Sequence, residues 1–218
     1  MLYTDIFYGR DGMKTNCQLE LDEIIKKISA RGERPSLMLH ICCAPCGSYV
    51  LEYLTRYFDI SLLYYNPNIY PESEYDRRLG EIEKLLSLAD FGRGVELIRG
   101  EYDAQAWHEY IRGTEKEREG GARCTLCFEK RLEETARLAK ERKSDWFCTT
   151  LTISPHKNAE LINELGRRIG EKYGVPFLPS DFKKRDGYKR STQLCAQYGI
   201  YRQNYCGCEY SMWFSREE

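Results

Sequence analysis

Ser36-Leu37-Met38-Leu39-His40-Ile41-Cys42-Cys43-Ala44-Pro45-Cys46 decides the fold. The run from Ser36 to Ile41 is apolar and short, small residues follow it, and from Ala44 to Phe58 the apolar side chains recur at helical spacing. That is a strand, a turn and a helix. Upstream, Leu19, Ile24, Ile25 and Ile28 mark an amphipathic helix over 19–28. Downstream the alternation continues. Asp59–Tyr65 is a second strand closed by Asn66-Pro67-Asn68, and residues 72–88 are helical. Residues 95–98 form a third strand, 104–111 a helix, 125–142 a long helix and 145–149 a fourth strand. Ser154 and Pro155 have the chemistry of an N-cap and first helical residue for a helix to Tyr173, which Gly174 stops. Residues 175–178 are the expected fifth strand.

Strands alternating with helices predict an α/β, Rossmann-like fold: a mainly parallel sheet with helices on both faces. After Phe182 the alternation breaks into one helix near 191–198 and an irregular, aromatic-rich C-terminal segment. With no repeat, low-complexity tract or linker, residues 1–218 are expected to form a single metal-binding domain.

The opening segment MLYTDIFYGRDGMKT lacks the apolar stretch of a signal peptide, and no later window approaches a membrane span. A cytoplasmic protein with no membrane partner is expected. In that reducing compartment ten cysteines are not a disulfide framework, so clustered ones point to metal or redox work. The net charge of −1 hides an asymmetry: residues 181–216 carry seven Lys/Arg against three Asp/Glu. Such a local basic surface can hold a polyanion, although a plain solvated surface has the same composition.

In an open parallel sheet, ligands bind at the carboxyl ends of the strands, where Cys42, Cys43 and Cys46 fall. The helix that starts there offers free N–H groups and a positive dipole end, which favour thiolate. Cys124 and Cys127 likewise lie one turn apart at the start of a long helix. Two such helix ends facing one another could supply a four-thiolate shell. A structural zinc site of Cys43, Cys46, Cys124 and Cys127 is the rival. An adjacent Cys-Cys pair is awkward around one ion, and a domain of this size does not need zinc to fold, so an iron–sulfur cluster is preferred. Cys206-Gly207-Cys208 could form a redox-active disulfide, ligate a second metal or sit free. Cys17, Cys148 and Cys195, isolated along the chain, read as small packed hydrophobes. His40 and His108 have packing or surface roles by default. His156 and Lys157, in the expected first turn of a helix, could bind an anion, and Asn66 and Asn68 sit beside the first cysteine cluster.

Five motifs in order resemble the QueH family of epoxyqueuosine reductases. They are His40-Ile41-Cys42-Cys43-Ala44-Pro45-Cys46, Tyr65-Asn66-Pro67-Asn68-Ile69, Gly121-Ala122-Arg123-Cys124-Thr125-Leu126-Cys127-Phe128, the stretch 149–157 ending in Ser154-Pro155-His156-Lys157, and Tyr201-Arg202-Gln203-Asn204-Tyr205-Cys206-Gly207-Cys208. The likeness runs from about 36 to 211 and leaves 1–33 as an N-terminal extension and 182–218 as the basic, aromatic C-terminal part. It implies a nucleotide-binding-type fold akin to the PP-loop (HUP) proteins. It also implies a two-electron removal of the epoxide oxygen from epoxyqueuosine in tRNA, without cobalamin. The implied cofactors are a [4Fe–4S] cluster on Cys42, Cys43, Cys124 and Cys127 and an adjacent mononuclear iron, for which Cys46 and Asp103 are candidate ligands. Cys206 and Cys208 would be a redox-active pair recharged by an unidentified electron donor. Asn66, Asn68, His156, Lys157, Tyr201 and Arg202 are the substrate-binding candidates, and Tyr188, Tyr198, Tyr201, Tyr205, Tyr210, Trp213 and Phe214 could stack extruded bases or pack the core. Competing readings are a sulfonucleotide reductase-like iron–sulfur enzyme, disfavoured because Cys42–Cys46 stands where a Ser-Gly-Gly phosphate loop would, and a zinc-stabilised, non-catalytic RNA-binding module.

Overall fold

The computed structural model describes residues 16–214, without the side chains of Trp213 and Phe214. The opening segment, Arg216 and those two rings lie outside the described residues. Strand β1 (Ser36–His40) is central. It pairs in parallel with β2 (Asp59–Tyr64) on one side and β4 (Trp146–Thr149) on the other, and β3 (Glu96–Arg99) adds beyond β2. The order is β3-β2-β1-β4, all parallel. Chain progression reverses direction between β1 and β4, which makes the crevice at their carboxyl ends the topological switch point.

Both faces are covered. The helices α1 (Cys17–Arg31), α2 (Ala44–Leu54) and α3 (Glu72–Leu88) contribute Leu21, Ile28, Val50, Leu51, Ile82 and Leu85 to a core built on Leu37, Leu39, Leu62 and Tyr64. On the opposite face, α5 (Ala122–Glu141) and α6 (Ala159–Tyr173) bury Leu132, Ala136, Ile162, Leu165 and Ile169 against Met38, Leu63 and Phe147. Alternate β1 side chains therefore enter different cores, as strand geometry requires. Each fully buried apolar side chain contributes about 1.5–3 kcal/mol. Between these lie the short α4 (Ala104–Tyr110), and after them α7 (Gly187–Tyr198), which packs on α2, and α8 (Glu209–Phe214).

Three expectations are corrected. The fifth strand is reduced to one parallel bridge, Phe147 to Phe177, with Phe147 N donating to Pro176 O (3.1 Å) and Leu178 N to Phe147 O (2.8 Å). Pro176 has no N–H to extend the ladder. Helix α6 starts at Ala159, not at Pro155, because Asn158 is its cap, its Oδ1 accepting from Leu161 N (3.1 Å). Ser154 instead closes a turn in which its Oγ accepts from His156 N (3.3 Å). Finally, the supposedly aperiodic tail contains α8.

Helix α6 approaches the chain at 177 so closely that a Cβ on Gly166 would meet three Phe177 ring atoms at 2.6–2.7 Å. Gly166→Ala is expected to cost about 1–3 kcal/mol by overpacking, read as a lower denaturant midpoint with an unchanged slope.

Candidate metal centre and substrate cleft

Immediately after β1 the chain places the thiols of Cys42, Cys43 and Cys46 within 4.8 Å of one another, an arrangement that could hold a metal ion. Cys42 Sγ and Cys43 Sγ are 3.8 Å apart. Cys43 is the extended N-cap residue of α2, and Cys46 lies in that helix's first turn. From across the switch point, Thr150 Oγ1 accepts from Cys42 N (3.4 Å) and lies 3.6 Å from its sulfur. Hydrogen bonds from Cys43 and Cys46 hold the Cys42 thiol well below its ordinary pKa, and the same sharing pushes Cys43 up to about 12. Within the trio, Cys42 is therefore the thiol that ionises most readily.

Cys42 and Cys46 of the trio line a cleft of about 670 Å³, together with Arg78, Arg131, Lys157, Tyr188, Arg202 and Cys206. Behind it lies a smaller cavity of about 60 Å³ that gathers Cys124, Cys127, Cys206 and Cys208 with Arg123 and Arg131. Cys206, His156, Lys157, Arg131 and Glu119 line both spaces. Burial pushes Cys127 up to about 12 and raises Cys124 and Cys208. Burial also opposes the charge of Lys157, but Cys206, Cys42 and Cys46 outweigh it and hold the ammonium above its ordinary value. The sequence-derived thiols therefore converge, with Cys46 in the compact trio and Cys124 and Cys127 in the adjoining cavity.

The Cys206-Gly207-Cys208 loop is fixed from two sides. Arg78 of α3, paired with Glu74 at 2.7 Å, donates to Cys206 O (3.0 Å) and Tyr205 O (3.4 Å). Tyr70 N donates to Gly207 O (2.8 Å). Gly207 has φ +128°, and a Cβ there would come within 2.9 Å of Arg78 Nη1. Gln203, two residues before Tyr205, donates from Nε2 to Cys43 Sγ (2.9 Å) and so links this loop to the trio.

The remaining candidates divide. Asn66 is a structural clamp, its Nδ2 donating to Ile41 O (2.9 Å). Asn68 is buried in the smaller cavity, and its Oδ1 has no protein partner. Asp103 caps α4 by accepting from Ala106 N (2.8 Å), is exposed and lines neither cavity. Tyr201 lies against Glu74 and under Arg77, outside the cleft lining. Arg202 reaches the cleft with Nη2 on Tyr188 OH (3.4 Å). Among the rings, Tyr210 is buried with Trp107 and Cys208, Tyr198 packs on Phe91, and Tyr188, 42% exposed, faces the cleft. Much of the basic C-terminal charge is spent internally: Lys183 pairs with Asp181, Arg185 with Asp22 and Arg190 with Glu52. The three buried arginines 78, 123 and 131 were missed because arginine on an amphipathic helix reads as a solvated face. The signal lay in spacing, since Cys124, Cys127 and Arg131 fall on one face of α5.

Comparison with known proteins agrees with this constellation. The family described as Epoxyqueuosine reductase QueH matches residues 37–213. The chain belongs to this family. It is 46% identical over 206 residues to Epoxyqueuosine reductase QueH of Staphylococcus epidermidis, covering 90% of this chain and 86% of the relative. It is 42% identical to that of Streptococcus pyogenes serotype M1 (91% and 80% covered) and 38% identical to that of Thermotoga maritima (84% and 93% covered). The motif resemblance to QueH is thereby confirmed over nearly the whole chain. No helix among the described residues is long and apolar enough to cross a membrane.

Gly207→Ala is expected to force the loop off Arg78, costing about 1–3 kcal/mol of local strain. Hydrogen exchange at the Tyr70 amide should accelerate, while amides of the β1–β4 pair keep their protection.

Proposed function

We propose that this protein reduces epoxyqueuosine in tRNA to queuosine at the cleft above Cys42, Cys46 and Cys206. The observation that carries this is the convergence of three cysteine motifs on two joined cavities at the switch point, in a chain of the QueH family. The donor set is all sulfur, which suits a soft, thiophilic centre. Cys42, Cys43, Cys124 and Cys127 would hold a [4Fe–4S] cluster and Cys46 an adjacent iron. When bound, these groups supply single electrons and Lewis acidity.

The chain's own residues provide the rest. Removing the epoxide oxygen to leave an alkene consumes two electrons and two protons and releases water. Oxidation of the Cys206/Cys208 dithiol to a disulfide releases the same two electrons and two protons, and a cellular electron donor then restores the dithiol. Cys206 lines both cavities, so it can serve substrate on one side and Cys208 on the other. Lys157 and Arg202 offer positive charge to a phosphate, and Tyr188 offers a ring to a base. The cleft's polar lining thus takes an extruded, modified nucleoside while the smaller cavity stays out of its reach.

Protein purified without oxygen should contain iron and acid-labile sulfide in near-equal amounts and absorb in the visible. A colourless, zinc-containing protein would refute the redox reading and favour the RNA-binding module. tRNA from cells lacking the gene and any second reductase should accumulate epoxyqueuosine by nucleoside mass spectrometry; normal queuosine would count against the activity. Cys206→Ser should abolish repeated turnover and leave the visible absorption intact, whereas its loss would make Cys206 a ligand.

A further inference from the structure

Arg123 and Arg131 stand about two turns apart on α5, the helix that carries Cys124 and Cys127. Both guanidinium groups are removed from water, at 1% and 3% exposure. Arg123 Nη1 donates to the carbonyls of Thr114 (3.1 Å), Glu115 (2.9 Å) and Glu117, its guanidinium lies over the Tyr210 ring (4.7 Å to the centroid), and its Nε and Nη2 have no hydrogen-bond partner. Arg131 donates from Nε to Cys127 O (3.0 Å) and from Nη1 to Asn66 Oδ1 (3.5 Å), while its Nη2 meets none. Both line the small cavity with the thiols. The third buried guanidinium, Arg78, has a carboxylate, Glu74. Among the described residues, no carboxylate forms an ion pair with Arg123 or Arg131.

A buried cation without a counter-ion is costly, and unpaired N–H groups beside it add to the cost. The one carboxylate in the cavity lining, Glu119, is exposed and pairs with neither arginine, so two such cations in one sulfur-rich cavity favour a bound anion there. Arg131 shares that cavity with four thiols, Cys124, Cys127, Cys206 and Cys208.

We propose that Arg131, seconded by Arg123, is the fixed counter-charge of the metal centre. Its unpaired N–H donates to the sulfur of an anionic cluster and raises the potential at which that cluster accepts an electron. This rests on the iron–sulfur reading above. Each reduction adds negative charge, so a desolvated cation and N–H···S bonds favour the reduced state. Water cannot screen them where they lie.

The test compares Arg131→Met and Arg131→Lys with wild type in two measurements: an anaerobic redox titration followed by visible absorption, and thermal melting of the full chain freed of metal. The methionine variant should be reduced at a potential lower by at least a tenfold change in the equilibrium, which is 59 mV for one electron. The lysine variant, which keeps the charge, should lie nearer wild type. Metal-free methionine variant should melt no lower than metal-free wild type, because an unbalanced buried charge has been replaced by an apolar side chain of similar length. An unchanged potential in a methionine variant that retains the cluster overturns the proposal. So does a metal-free methionine variant that melts well below wild type, since Arg131 would then be scaffold for Cys127 and Asn66. If the methionine variant takes up no cluster, the melting comparison decides alone. Wild type lacking iron and sulfide would refute the cluster reading, and the melting comparison still judges Arg131.

Discussion

The imidazole of His40 touches both strands that flank its own. Its Nδ1 is 2.9 Å from Thr149 Oγ1 at the end of β4, and its Nε2 is 3.2 Å from Tyr65 O just past β2. Asn66 completes the tie through Ile41 O. Burial holds His40 down to a pKa of about 4, so the ring stays neutral and its two nitrogens can play one donor and one acceptor. This buried polar net pins three strand ends in one layer, and the cysteine turn of residues 42–46 rises directly from it. A slip of any strand would break the net and scatter the thiols.

Above that layer the site is organised by charge. Thiols are poor acids when buried, yet a metal needs them ionised, and the chain answers with cations from four elements: Arg78 from α3, Arg123 and Arg131 from α5, Lys157 from the turn before α6, and Arg202 after α7. The first three are nearly or wholly removed from solvent, whereas Lys157 and Arg202 reach toward the opening. The arrangement separates tasks by depth, with fixed charge around the sulfur and adaptable charge where a large, mobile polyanion would arrive.

Much of this was legible in the chain. The run Ser36–Ile41 and its neighbours Asp59–Tyr65 and Asp145–Thr149 announced strands because both faces of a parallel sheet are buried and their sequences must be apolar throughout. The cysteine motifs stood out for their reactivity. Less visible was anything that depends on what a segment meets after folding. Ser154-Pro155 has cap chemistry, but Asn158 competes successfully for the role. Residues 175–178 have strand composition, but Pro176 removes the donor the ladder needs. Lys183, Arg185 and Arg190 looked like a polyanion surface until their carboxylates, Asp181, Asp22 and Glu52, were located. Local pattern specifies elements, whereas partner choice between distant segments is a tertiary outcome.

Long-range polar contacts of α1 also bear on how the molecule is made. Asp22 and Arg185 are 163 positions apart, Asn16 and Lys184 are 168 apart, and Glu20 and Arg167 are 147 apart. The apolar stripe of α1 joins the same core cluster as Leu178 and Phe182. A ribosome makes α1 well before Arg167, Lys184 and Arg185. The apolar side of this helix can shelter early against β1 and α2, whose Leu37, Val50 and Leu51 share its core, whereas its long-range polar contacts can close only once residues 167–185 have been made.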